Sequence, residues 1–388
     1  MGSVALILEF SGVFPSVFPF TFIPMMYLSI GFIIAFSGFL KYKDKNFNTI
    51  RIQNLKLLSL FENVLLYGGF GSLFFFLPFA ISGLSGDVEL NRLDIFGFQE
   101  SVLAKYGIIN SIFSLFANLF IFAILLAFIR FADKDNLKSR GKGYLLLLSS
   151  FSYVVYVLAY VGRDGIVYWL MSYSFIYLVF KRFISITIKK KLFYQYFISI
   201  GILIVPFMII SIARFSAMAE GVGWKLLEYA GCQLKNFNDS FYVDPPLLYG
   251  RLAFPIFLDI LETFGISFEK ALVQDRFPYY LSLGVDPWIF KTFIGDLLMD
   301  FGKIGTLLYL IFFSVLARFS LKKVSIEGTF TFSNLILFIL LYQMILWGVF
   351  YFRFYSMNFY IIAVILIALS FKIFKSYSEE KLIVVLRE

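Results

Sequence analysis

Residues 193 to 213 read FYQYFISIGILIVPFMIISIA, a run with no charged side chain. A bilayer core about 30 Å thick is crossed by roughly 20 apolar residues of helix, and this run meets that length. Runs of this kind recur along the chain at 3–18, 20–40, 57–80, 107–129, 144–161, 166–180, 193–213, 303–318, 331–350 and 359–375. Pro15 and Pro19 interrupt the first, and the sixth is short enough to extend past Arg182. With 60% hydrophobic and 15% charged residues, the chain falls well short of the roughly 25% charge usual for a soluble domain. The expectation is an all-α polytopic membrane protein of about ten spans. In order along the chain it has seven spans over 1–213, a long loop over 214–302, and three spans with a tail over 303–388.

Charge orients those spans. The segments 41–56, 130–143, 181–192, 318–330 and 371–388 hold 22 of the 34 Lys and Arg residues but seven of the 25 acids. The alternate segments 81–106, 162–165, 214–303 and 351–358 hold 12 basic and 16 acidic residues. Short basic loops stay cytoplasmic, so the first set is inside and the second outside. An even number of spans then puts both termini inside. The net charge of +9 is carried by these short loops, which excludes nucleic acid as the partner it would otherwise suggest. The first residues, MGSVALILEF, lack the basic flank of a cleaved signal peptide, and Ala5 and Leu6 leave the myristoylation pattern incomplete.

Several chemistries are missing. There is no histidine, and Cys232 stands alone, so an internal disulfide and a Cys-based metal cluster are excluded. No Walker A or GxGxxG phosphate cradle occurs. Any group transfer has to draw on a donor that is already activated in the membrane.

The external face instead offers Arg92, Arg163, Arg214, Arg251, Arg276 and Arg353. Arg163 opens an apolar run, Arg214 closes one, and Arg353 sits between two. An arginine at the centre of a membrane helix costs about 2.5–3.5 kcal/mol, and less at the rim. Guanidinium groups bind phosphate oxygens in bidentate fashion, so arginines at an external rim suit a lipid-linked phosphate or diphosphate. The plainer reading has each arginine reach the headgroups or pair with a nearby acid. Asp164 either tethers Arg163, favours the helix start that follows it, or acts as a base.

The external stretch from Arg214 to Gly302 spans 89 residues. Within it, YAGCQLKNFNDSFY (229–242) gathers Tyr229, Gln233, Asn236, Asn238, Asp239 and Tyr242. Such a mixture suits sugar hydroxyls and ring faces as well as it suits a polar surface loop. DRFPYYLSLG (275–284) repeats it with Arg276, Tyr279 and Tyr280. In AFPIFLDILETFGI, Ile256, Phe257, Ile260, Leu261 and Phe264 share one helical face, which predicts a helix lying along the membrane surface. Asp296 and Asp300, four residues apart, share a face and read as structural rather than as a general base. Glu62 falls inside a span near its cytoplasmic end, from which it is expected to reach out.

Four stretches together resemble the O-antigen and capsule repeat-unit polymerases, the Wzy-type polysaccharide polymerases. They are GRDGIVYWLMSYSFIYLVFKR, Arg214 in SIARFSAMAEG, YAGCQLKNFN, and TFIGDLLMDFGKIGTLLYL; the resemblance covers roughly residues 145 to 320. It implies a bacterial inner-membrane glycosyltransferase of the many-helix, GT-C-like kind. Such an enzyme moves a growing glycan from one undecaprenyl diphosphate onto a repeat unit carried by another, on the periplasmic side and without a cofactor. A flippase and a chain-length co-polymerase are the partners it implies. Arg163, Arg214 and Arg276 stand where such polymerases keep external arginines. Asp164 and Asp239 are the candidate bases, with Arg251, Arg353, Tyr229, Asn236, Asn238, Tyr279 and Tyr280 as substrate contacts and no metal. The Arg-x10-Gly spacing of some members is absent, since Arg214 is followed by Gly221 and Gly223. The related ligases depend on an external histidine, which this chain lacks. A flippase of lipid-linked oligosaccharides is the alternative from another class.

Overall fold

The structure, a computed structural model, describes residues 18–42, 47–52, 54–85, 88, 103–133, 137–215, 221–243, 245–266, 276–286, 290–374 and 382–385. The first expected span, 3–18, lies outside them except for Phe18. The described chain is predominantly helical. Four helices are long and apolar enough to cross a membrane: Leu55–Leu84, Arg140–Ala159, Ile186–Ala213 and Thr292–Lys322. A fifth is added if Gly107–Asn118 and Phe120–Ala132, bent by 41° at their junction, count as one span. Four shorter apolar helices, Phe22–Ser37, Asp164–Phe180, Phe332–Gly348 and Asn358–Ile373, coincide with expected spans. The sixth run stops at Phe180 and does not pass Arg182.

The chain groups into two compact units that cut across the sequence order. One comprises 1–46, 223–327 and 334–366, and the other 47–222, 328–333 and 367–388. The long stretch 214–302, from residue 223 onward, thus folds with the helices nearest both ends of the chain rather than by itself.

In the first unit, α1 (Phe22–Ser37) packs against a long helix that runs from Thr292 to Glu327. Gly38 lies so close to this helix that a β-carbon there would sit 2.5 Å from the Ser314 carbonyl oxygen.

In the second unit, α2 (Leu55–Leu84), α3 (Gly107–Asn118), α4 (Phe120–Ala132), α5 (Leu137–Ser149), α6 (Ser152–Ala159), α7 (Asp164–Phe180) and α8 (Ile186–Phe215) follow in order. Helix α4, FIFAILLAFIRFA, is buried at every position except Arg130; a helix apolar all round belongs in the middle of a bundle. Helix α8 is the opposite case. It leaves Phe193, Phe197, Ile198, Ile202 and Val205 exposed, the surface a lipid-facing helix presents.

A three-stranded sheet departs from the expectation of helices alone. β1 (Thr49–Ile52) lies between β2 (Thr329–Thr331), to which it is parallel, and β3 (Leu382–Val385), to which it is antiparallel. Thr49 pairs with Thr329, their hydroxyls 2.7 Å apart, and Ile50 pairs with Phe330. Phe330 meets Phe47 edge-on, and Phe47 packs on Phe183. These strands come from three of the basic segments assigned to the inside. Thr-Ile-Arg-Ile is a strand-favouring alternation, but its parallel partner lies 280 residues away, so no hairpin signal marks it.

Candidate functional site

The segment VGRDG (161–165) forms the turn from α6 into α7. The chain reverses through Val161, whose φ of 52° is an uncommon, strained value for a β-branched residue. Gly162 and Gly165 follow because a β-carbon at either would lie 2.7 or 2.6 Å from the Val157 side chain. This tight return sets Arg163 at the start of α7, with Asp164 in the first turn, where an acid favours the helix dipole. Arg163 is only 8% exposed. Its Nη1 donates to Ser211 Oγ on α8 at 2.7 Å, and its guanidinium lies 5.6 Å from the Phe207 ring centroid. Arg214 follows Ser211 by three residues on α8 and so shares its face. The Arg214 side chain lies outside the described residues. Two of the expected arginines are thereby brought to one end of this unit.

The other candidates belong to the first unit. The segment 229–242 lies within α9 (Gly221–Tyr242), where Gln233, Asn236, Asn238 and Asp239 are buried and Tyr242 is exposed. Asn236 Nδ2 donates to the Asp286 carbonyl at 3.1 Å. Asn238 accepts from Thr21 N at 3.3 Å and donates to the carbonyls of Phe18 and Pro19, while Asp239 Oδ1 accepts from Phe18 N at 3.0 Å. Residues 18–21 lead into α1 in irregular conformation, and their backbone groups require partners, which Asn238 and Asp239 supply. The Tyr229 side chain lies outside the described residues.

The segments after α9 gather on one helix start. α10 (Pro255–Thr263) and α11 (Arg276–Ser282) precede α12 (Thr292–Glu327), whose first turns are buried from Thr292 to Asp300. Gly302 breaks α12 with a φ of 66°, a conformation for which glycine is suited. Asp300 accepts from Gly250 N at 3.0 Å and Ala253 N at 2.8 Å, and its carbonyl accepts from Leu248 N. Asp296 accepts from Phe352 N at 2.7 Å. Its other oxygen receives the Tyr280 hydroxyl at 3.4 Å and lies 3.7 Å from Lys291 Nζ. Lys291, 1% exposed, sits 3.9 Å above the Tyr280 ring. The two aspartates therefore hold folded segments to α12, the structural role their spacing suggested.

Of the remaining arginines, Arg251 bonds Asp259 at 2.9 Å and Glu262 at 3.3 Å. Arg353, in the turn between α13 (Phe332–Gly348) and α14 (Asn358–Ile373), donates to the Tyr351 hydroxyl at 2.5 Å. Arg276 begins α11, and its side chain is outside the described residues. The Tyr279 hydroxyl is buried with no hydrogen-bond partner among the described residues. Loss of water around it, then the Asp300 charge, pushes its pKa up to about 12. Burial, followed by the Glu228 charge, likewise raises the Cys232 thiol to about 12. On α10, Leu258 is buried, while Ile260 and Phe264, on the face expected to lie along the membrane surface, are exposed.

Two features escaped the sequence reading. Lys291 passed unremarked, although a lysine at the edge of an apolar run five residues before Asp296 was the available signal. Glu62 does not reach out: it is fully buried, takes Arg130 Nε and Nη2 at 2.5 and 2.7 Å, and meets Lys142 Nζ at 2.8 Å. The reason is its phase. Glu62 lies on the same face of α2 as the buried Leu58, Leu65 and Gly69. Scans against family models, curated proteins and solved structures returned no match to this chain.

Proposed function

We propose that this chain is a polytopic membrane glycosyltransferase. It polymerises undecaprenyl-diphosphate-linked oligosaccharide repeat units on the external face of the bacterial inner membrane into O-antigen, capsule or exopolysaccharide. In this reading the chain crosses the membrane about ten times, and the 16- and 17-residue apolar helices count as spans. The observation that carries it is Arg163, held at the mouth of α7 by Ser211 of α8, with Arg214 three residues beyond Ser211 on α8. Guanidinium groups so placed suit the two phosphates of a polyprenyl carrier.

The reaction breaks the bond between the sugar anomeric carbon and the diphosphate oxygen. Charge developing on that oxygen is held by preorganised cations, so no metal is compulsory. An acceptor hydroxyl forms the new bond to the anomeric carbon and gives its proton to a carboxylate. Asp164 and Asp239 are the candidate bases, and Asp239 Oδ1 also accepts from Phe18 N. Arg276, Arg251, Arg353, Tyr229, Asn236, Asn238, Tyr279 and Tyr280 remain the residues proposed to contact the glycan. Replacing Arg163 or Arg214 by Ala is expected to abolish polymer and leave single lipid-linked units outside. Full-length polymer on a gel from both variants overturns the reading.

One observation favours a second reading. The span formed by Gly107–Asn118 and Phe120–Ala132 is bent by 41° at Leu119, as the discontinuous helices of transporters are. A flippase of lipid-linked oligosaccharides would, when inactivated, trap its units on the cytoplasmic side rather than the external one.

A further inference from the structure

Two irregular points in neighbouring spans meet. Helix α3 gives way to α4 at Leu119, with 12 residues before the bend and 13 after it. The neighbouring span Arg140–Ala159 runs through a local turn at Ser150–Phe151, where Phe151 N donates to Leu148 O and Tyr153 N to Ser150 O. Phe120, first after the bend, stacks on Tyr153, just after the turn, with ring centroids 4.2 Å apart and planes 12° from parallel. The bend and the turn therefore lie at one level in the interior of this unit.

Polar side chains collect there from four helices. Several are satisfied by carbonyls of their own surroundings: Ser72 Oγ donates to Phe113 O, Ser149 to Leu146 O, and Ser150 to Leu147 O. Trp169 Nε1 donates to Ser150 Oγ at 2.9 Å. Two are not. Asn118 Oδ1 and Ser152 Oγ are buried, with their residues 8% and 1% exposed, and neither has a hydrogen-bond partner among the described residues. A buried polar atom left in this way bears its full desolvation cost. Within a spanning bundle, broken backbone is tolerated where it is enclosed by protein or faces water.

We infer that the bend at Leu119 and the turn at Ser150–Phe151 enclose a hydrated chamber in which water molecules bind Asn118 and Ser152. The chemistry selects a neutral ligand of that size. Ser72, Asn118, Ser149, Ser150, Ser152, Tyr153 and Trp169 carry no charge, so a metal cation would arrive uncompensated. The nearest carboxylate on α2, Glu62, lies ten residues or about 15 Å along the helix from Ser72 and is bound by Arg130 and Lys142. A route inward is laid out on α6. Tyr160, part-exposed at the Arg163 end, exchanges hydrogen bonds with Asn110. Its ring lies 5.4 Å from Tyr156, which lies 6.3 Å from the fully buried Tyr153. Phenol hydroxyls one turn apart give water a polar file from the rim to the chamber. This chamber is independent of the catalytic reading above.

Radiolytic footprinting of the full-length wild-type protein in lipid nanodiscs tests it, because hydroxyl radicals form from water wherever water resides. Tyr153, 0% exposed, is expected to be labelled within threefold of the rate at Tyr249, 60% exposed and outside the expected spans. Labelling of Tyr153 no faster than that of the equally buried Phe122 overturns the chamber. A second readout uses the lone thiol. In a Cys232→Ala background, Ser152→Cys should exchange its S–H stretch for the S–D band within minutes of transfer to D2O. Ile124→Cys, in the apolar middle of α4, should lag at least tenfold. Equal rates at the two positions also overturn the proposal.

Discussion

Glu62 and Asp300 are both carboxylates with no exposed surface, and they are satisfied in opposite ways. Glu62 is met by side-chain cations from two other helices, Arg130 on α4 and Lys142 on α5. Asp300 is met by backbone N–H groups of Gly250 and Ala253, in a segment without regular structure. The first fastens helix to helix. The second fastens an irregular stretch to a helix start, giving partners to backbone groups that no ladder would serve. The contrast teaches where each unit spends its buried charge. One uses it to fix the bundle, and the other uses it to hold a stretch without regular structure against a helix start.

The largest effect is expected at the ion triplet. Glu62→Ala leaves two cations partly enclosed without their counter-charge and should cost about 3 kcal/mol of global stability, the lower end for breaking a buried pair. Thermal unfolding in detergent reads this directly. The triple change of Glu62, Arg130 and Lys142 to Met should recover most of the loss, since apolar replacement of a whole ion cluster is often neutral. No recovery would mean that the triplet does more than pin helices.

Asp300→Ala comes next, at about 2 kcal/mol for two stranded backbone donors. Its signature differs from that of Glu62→Ala: limited proteolysis should open the 245–254 segment while the unfolding midpoint moves little. If the midpoint falls as far as in Glu62→Ala, the distinction between helix pin and segment anchor is lost. Asn238→Ala should act in the same manner on residues 18–21, at about 1 kcal/mol, with cleavage ahead of α1 as its readout.

The apolar runs were legible because a helix in lipid has to be apolar over most of its length, and nine of the ten expected spans find helices in the described residues. The bend at Leu119 and the turn at Ser150–Phe151 were harder to see. SLFANLFIF and LLLLSSFSYVV contain neither Pro nor Gly at these points. The one signal was Asn118 and the serines at 149, 150 and 152 in mid-span, where polar residues are uncommon. Glu62 was readable from its spacing with Leu58 and Leu65. Asn238 and Asp239 were not, because their partners lie 217 to 221 residues away, and a side chain bonded to remote backbone looks in sequence like one that binds sugar. Arg163 was placed correctly at a helix mouth, but nothing local announced Ser211 as its partner.

The smallest effect sharpens the comparison most, because it asks whether Asp300 keeps its charge when backbone donors alone surround it. The Tyr279 phenol is raised to about 12 by loss of water first and by the Asp300 charge second. Its folded value lies above its unfolded value near 10, so the folded state holds this proton more tightly. The stability it contributes is complete below pH 10 and is lost as pH rises from 10 towards 12. Tyr279→Phe should remove that part of the alkaline decline, read as the difference between the wild-type and variant unfolding curves over this window. Asp300→Asn keeps one acceptor oxygen and removes the charge, so the Tyr279 titration, followed by phenolate absorbance as a wild-type minus Tyr279→Phe difference, should move down towards 10. It should stop short of 10, since burial remains. An unchanged titration would mean that Asp300 already carries a proton and is held as a neutral hydrogen-bonding group, unlike Glu62 between its two cations.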